Sequence, residues 1–151
     1  MSKSILTSLK HDHDEVGTLL KQAMACSEKA SVNRSTLFAK IREALTIHTS
    51  FEEERLYPLL INAKASKAAV LEAYEEHNQI KHLLQDIADT EVTDERWNAK
   101  VTVLAEDVEH HIKEEEQLGG LFAKLRHVTD SETLASLADE YEATKHAAGV
   151  M

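Results

Sequence analysis

Residues 45–56 read Leu-Thr-Ile-His-Thr-Ser-Phe-Glu-Glu-Glu-Arg-Leu, and residues 104–118 read Leu-Ala-Glu-Asp-Val-Glu-His-His-Ile-Lys-Glu-Glu-Glu-Gln-Leu. In both stretches apolar residues recur at the three- and four-residue spacing of one helix face. That face also carries a histidine and, one turn later, a glutamate. The first stripe runs Ile41, Leu45, His48, Glu52, Leu56, and the second Leu104, Val108, His111, Glu115, Leu118. A buried carboxylate is costly unless it is paired or bound to a metal. The two stretches therefore predict amphipathic helices whose core faces are interrupted by the same polar layer.

Two more stripes lie outward from these. Leu6, Leu9, His13, Val16 and Leu20 predict a helix over about Lys3–Lys29, and Val70, Ala73, His77, Ile80 and Leu84 predict one starting near Ser66. Asn33 or Ser35 can cap the second helix, and Thr93 or Asp94 the fourth. The second helix also carries Leu37 and Leu59, and Pro58 is expected to kink or end it. Gly119-Gly120 breaks the fourth, with Leu121–His127 as a short continuation. Asp130 or Ser131 can cap a last amphipathic helix with Leu134, Leu137 and Tyr141.

The expected fold is all-α. It is an up-down-up-down antiparallel four-helix bundle over residues 1–128, with a short additional C-terminal helix and tail over 129–151 docked on it as part of one domain. At 151 residues the chain can bury ~68–70% of the surface its unfolded form exposes.

The four histidines also agree in depth. Two residues on antiparallel neighbours share a height when their sequence midpoint falls in the connecting loop. The midpoint of His13 and His48 lies between Ala30 and Ser31, that of His48 and His77 between Asn62 and Ala63, and that of His77 and His111 at Asp94. All three fall where composition places loops or caps. The four histidines are therefore expected to form one layer, while His11, His82, His110, His127 and His146 lie at the surface or rim. The pattern is also a weak repeat, a plain His followed on the next helix by His-x-x-x-Glu, which suits two similar half-sites.

Composition narrows the function. Lys plus Arg is 17 against 27 Asp plus Glu, a net charge of -10, which argues against nucleic acid because phosphate binding needs a basic face. No apolar run is long enough to span a membrane, and residues 1–10 lack the apolar core of a signal peptide. Cys26 is the only cysteine, which rules out an internal disulfide and, with the rest, predicts a cytoplasmic protein. A lone cysteine off the layer also removes thiolate-held clusters. Imidazole with carboxylate suits Fe, Mn or Zn. Two glutamates from opposite helices can bridge two cations about 3.5–4 Å apart, and positions left open imply reactivity or reversible binding.

These residues resemble the hemerythrin-like, HHE cation-binding family. The resemblance is carried by Leu9-Lys10-His11-Asp12-His13, by His48 to Glu52-Glu53-Glu54 and Tyr57-Pro58, by Glu75-Glu76-His77-Asn78, and by His110-His111 to Glu114-Glu115-Glu116. It covers about residues 5–126. It implies a non-haem di-iron pair with a bridging oxo or hydroxo, zinc or manganese being alternatives. His13 and His48 would bind one iron, His77 and His111 the other, and Glu52 and Glu115 would bridge. It implies a small diatomic ligand, O2 or NO, or a peroxide, for sensing, storage or detoxification, or turnover as peroxide breakdown or NO reduction.

The chain departs from the oxygen carriers of that family in three places. Lys81 stands where they have a further histidine, so that His82, Tyr74 or a nearby Glu can take its place. The second bridging carboxylate is a Glu four residues after its His rather than an Asp at five. Gly119-Gly120 interrupts a frequent Phe-Pro ending. Leu9, Leu45, Ile80 and Leu104 are expected to wall the site against water, and Gly17 lies one turn beyond His13.

Overall fold

The computed structural model describes residues 3–149, and all regular structure among them is helical. Met1, Ser2, Val150 and Met151, the ends of the two expected spans, lie outside the described residues. Helix α1 (Ile5–Ala25) begins at Ser4, whose hydroxyl accepts the Leu6 N–H at 3.2 Å. Helix α2 (Ser31–Phe51) starts before its expected caps, so Asn33 and Ser35 lie within it and Ala30 precedes it with no side-chain cap. Buried Arg34 secures this end instead. It donates to the carbonyls of Val92 (2.5 Å) and Cys26 (3.0 Å) and lies 4.6 Å from the centre of the Trp97 ring.

The break expected at Pro58 takes a specific form. Residues Glu52–Leu56 make a π-helical turn, in which the Tyr57 N–H bonds Glu52 O five residues back, and α3 (Tyr57–Leu60) follows with Pro58 in its first turn. A proline is tolerated there because its missing N–H has no helical partner to lose.

Helices α4 (Lys67–Ala88), α5 (Trp97–Glu116), α6 (Leu121–Val128) and α7 (Ser131–Ala147) complete the chain. Arg96 precedes α5, and Asp94 acts one step earlier by accepting the Arg96 N–H at 2.8 Å. Asp130 caps α7 as expected, accepting the Thr133 N–H at 2.7 Å, but that helix runs 17 residues rather than being a short appendage. The α5–α6 break uses both glycines. Gly119 has φ +75°, and a Cβ on Gly120 would lie 2.5 Å from Glu114 O and 2.8 Å from Glu115 O. Leu118 therefore falls past the end of α5 and is fully exposed, and Leu59 is also exposed, so neither belongs to the core stripes assigned from periodicity.

Helix α1 packs on α2 and α5, α4 packs on α5, and α2 reaches α4, which closes a ring of four long helices. Cross-links give the senses. Asp12 meets His48 while Cys26 meets Arg34, so α1 and α2 run oppositely; Glu76 meets His111 while Asp86 meets Lys100, so α4 and α5 do too. Helix α7 lies against α1, and α6 against α3 and α5.

The interior has two apolar halves. One holds Leu9, Phe51, Leu56, Val70, Phe122 and Tyr141 among others, and the other Val16, Ile41, Leu45, Ile80, Trp97 and Leu104 among others. Burying each such side chain is worth ~1.5–3 kcal/mol, which offsets a polar layer between them. No helix among the described residues is long and apolar enough to cross a membrane.

Candidate metal centre

His13, His48, Glu52, His77, His111 and Glu115 are all buried and converge between the two apolar halves. Their donor atoms form two groups, His13 with His48 and Glu115, and Glu52 with His77 and His111, each within 4.8 Å. The glutamates straddle the groups. Glu52 Oε1 lies 3.1 Å from His77 Nε2, 3.5 Å from His48 Nε2 and 3.9 Å from His111 Nε2. Glu115 Oε1 lies 3.3 Å from His13 Nε2, and its Oε2 3.4 Å from His111 Nε2.

Each histidine is held from behind by a carboxylate on its Nδ1. His13 Nδ1 donates to Glu116, His77 Nδ1 to Glu53 at 2.8 Å and His111 Nδ1 to Glu76 at 2.6 Å, while His48 Nδ1 faces Asp12 at 3.4 Å. The four bonds run round the bundle in one direction. Asp12 of α1 serves α2, Glu53 after α2 serves α4, Glu76 of α4 serves α5, and Glu116 of α5 serves α1. Each carboxylate is the sequence neighbour of a residue in the layer, either His13, Glu52, His77 or Glu115. Such outer carboxylates fix the ring and its tautomer, leaving Nε2 as the free donor.

The inward atoms are short of hydrogen bonds. His13 Nε2, His48 Nε2, both Glu52 oxygens and Glu115 Oε1 are buried with no hydrogen-bond partner. Buried polar atoms are normally satisfied. Lone pairs that converge without donors fit a cation, and the imidazole–carboxylate set suits Fe, Mn or Zn.

Charge in the metal-free protein supports this. Burial pulls the His48 pKa down, but the Glu52 carboxylate charge and the hydrogen bond to Asp12 outweigh it and push it up to about 10. His111 is likewise raised despite burial, chiefly by Glu115, and Glu52 is held well below the usual carboxylate range against burial, chiefly by His48. Without a metal, protons on imidazole do what cations would do. Burial would raise Asp12, but hydrogen bonds from His48, Tyr141 and Lys145 bring it down to about 2.

Periodicity overlooked Tyr57. Its buried hydroxyl donates to Glu115 Oε2 at 3.2 Å and lies 3.1 Å from His77 Nε2. Burial, then the Glu52 and Glu115 charges, keep it a neutral phenol far above its ordinary pKa. The π-helical turn explains the omission, since five residues rather than four separate Glu52 from the next residue facing the layer. Of the substitutes expected for the histidine missing at Lys81, His82 and Tyr74 do not reach the centre. His82 is exposed, and the Tyr74 hydroxyl bonds the Glu53 carbonyl at 3.4 Å. Lys81 itself pairs with Glu53 at 3.1 Å, behind His77. His11, His110, His127 and His146 are exposed, His110 within a surface group of Glu72, Glu76 and Glu114. Leu9, Leu45, Ile80 and Leu104 are buried, whereas Gly17 faces open space.

A helical chain with a buried four-histidine, two-glutamate layer defines a cation-binding bundle. The chain belongs to the Hemerythrin HHE cation binding domain family, whose match spans residues 4–125. Among curated proteins it is similar to a Nostoc sp. protein named DNA nickase, at 28% identity over 137 residues. That match covers 91% of this chain but 38% of the relative's length. Among solved structures it is similar to a Hemerythrin HHE cation binding domain-containing protein from Mycobacterium kansasii, with a TM-score of 0.82 and 21% identity over 97% of this chain and 88% of that one. That likeness is one of fold.

Proposed function

We propose that the chain is an up-down-up-down four-helix bundle that holds two non-haem iron ions and uses them to bind O2, NO or a peroxide. The observation that carries this is the convergence of four imidazole Nε2 atoms and two carboxylates, with both Glu52 oxygens and Glu115 Oε1 buried and lacking hydrogen-bond partners. His13, His48 and Glu115 would hold one ion, Glu52, His77 and His111 the other, with each glutamate reaching across. Tyr57 would supply an oxygen beside the second ion, where Lys81 replaces the histidine of the oxygen carriers.

Charge supports two cations rather than one. Asp12, Glu52, Glu53, Glu76, Glu115 and Glu116 supply six carboxylates, against Lys81 and Lys145. The four negative charges left over match two divalent ions.

Bound iron would supply electrons to a diatomic or peroxide. The chain's own groups orient and shield it. The carboxylates on Nδ1 aim the imidazoles, the apolar halves exclude water, and in the metal-free chain the Tyr57 hydroxyl donates to Glu115. Peroxide consumption and NO binding by the iron-loaded chain, compared with Glu52→Ala, test the reading. Loss of both in the variant is expected, and equal behaviour would overturn it.

Two-metal centres also cleave phosphodiesters, and the Nostoc relative is named for DNA. The net charge of -10 opposes DNA docking here. A plasmid-relaxation assay with the iron-, manganese- and zinc-loaded chain is expected to show no nicking above the Glu52→Ala background.

A further inference from the structure

Helix α7 lies beyond the matched span of the family, which ends at residue 125, yet two of its side chains reach the centre. The Tyr141 hydroxyl donates to Asp12 Oδ2, the oxygen that faces His48 Nδ1, and Lys145 Nζ donates to Asp12 Oδ1 at 2.9 Å. Tyr141 is almost fully buried. Its ring packs on Phe51 at 4.7 Å and meets the His48 ring edge-on at 6.4 Å. We propose that Tyr141 and Lys145 are positioning residues that hold Asp12 against His48, so that α7 sets the affinity of the cation bound by His13, His48 and Glu115 without affecting the other. The proposal rests on the two-cation reading above.

Three observations carry it. Of the four histidine–carboxylate contacts, that of His48 with Asp12 is the longest, so it depends most on what holds the carboxylate from outside. The other three carboxylates have no partner on α7: Glu53 pairs with Lys81, Glu76 faces His110, and Glu116 bonds His13. Finally, a small cavity of about 30 Å³ touches Asp12, Val16, Ile47, Tyr141 and Lys145. Stripped of its two α7 donors, the buried carboxylate would have one partner at 3.4 Å and space to swing away. Loss of an outer hydrogen-bond partner weakens metal binding by roughly 10- to 100-fold.

The test is anaerobic cobalt(II) titration of the full metal-free chain against a chelator, which resolves two stepwise constants. The wild type is expected to take up two ions. The Tyr141→Phe/Lys145→Met double variant is expected to keep one constant and weaken the other roughly tenfold or more. Tyr141→Phe alone retains the ring packing and is expected to shift the same constant in the same direction; it serves if the double variant does not fold. Lys145→Arg, which can still donate, is expected to match the wild type. Glu140→Gln removes an exposed 2.9 Å pair between α7 and Arg55 and is expected to change neither constant. Unchanged constants in the double variant, equal weakening of both, or a Glu140→Gln variant that behaves like the double variant would overturn the positioning role. A wild type that takes up no cobalt would instead overturn the two-cation reading, and this inference with it.

Discussion

Replacing Tyr57 with Phe removes one oxygen from the centre and leaves the ring against Tyr74 and His77. In the metal-free protein that oxygen donates to the buried Glu115 carboxylate at 3.2 Å. A hydrogen bond to a charged group contributes about 1.5–3 kcal/mol. For a domain of this size each kcal/mol moves Tm by about 2–4 °C. The metal-free variant should therefore melt roughly 3–12 °C lower, and differential scanning calorimetry measures this. In the iron-loaded protein the lost oxygen should weaken the ion beside His77 by about tenfold or more, some 1.4 kcal/mol per factor of ten, and spare the other. The spectrum provides the sharper readout. After oxidation by air, ferric iron next to Tyr57 would be bound by the phenolate, its proton released to solvent, and should give a visible charge-transfer band in the wild type that Tyr57→Phe lacks. Identical spectra and identical affinities would refute the reasoning and leave Tyr57 as packing.

Other outcomes follow from the same geometry. Glu115→Ala should lose metal while Glu114→Ala keeps it, as metal analysis of the purified variants would show; the reverse result would move the helix register by one. The metal-free protein should lose Tm as pH rises from 6.5 to about 10. The raised His48 pKa gives stability that is complete below the unfolded value and lost through the folded one. On the acid side, Asp12 gives stability present above 3.8 and lost as pH falls toward about 2. Cation binding needs neutral imidazole, so the Tm gap between loaded and metal-free protein should widen with pH; a metal-free Tm that rises over that alkaline range would contradict the ion pairing. Gly120→Ala should lower Tm and weaken metal binding, because its Cβ would collide with the Glu114 and Glu115 carbonyls, whereas Gly17→Ala should stabilise by about 0.5–1 kcal/mol in open space.

The polar layer was legible because a helix face has a fixed period and six ionisable residues broke four apolar stripes at one depth. The surrounding shell was less so. Asp12, Glu53, Glu76 and Glu116 each stand one residue from the layer, a step of about 100° on a helix, so periodicity assigns them to solvent. Their role depends on which helix lies next door, and a stripe carries no such information. Tyr57 escapes periodicity because the π-helical turn changes the period within a single turn, and Leu118 falls off the stripe because the helix ends two residues before it. Tyr141 was visible as an apolar face residue of the last helix. Its hydroxyl acquires a purpose only once α7 lies on α1, a contact made across more than 120 residues of chain.

The central claim, two cations in the histidine–glutamate layer, is tested most directly by metal analysis after anaerobic iron loading, with the optical spectrum followed on admitting air. Two irons per chain, loss of both in Glu52→Ala, and new near-ultraviolet and visible bands on oxygenation are expected. Less than one metal per chain in the wild type, or full occupancy in Glu52→Ala, would contradict it.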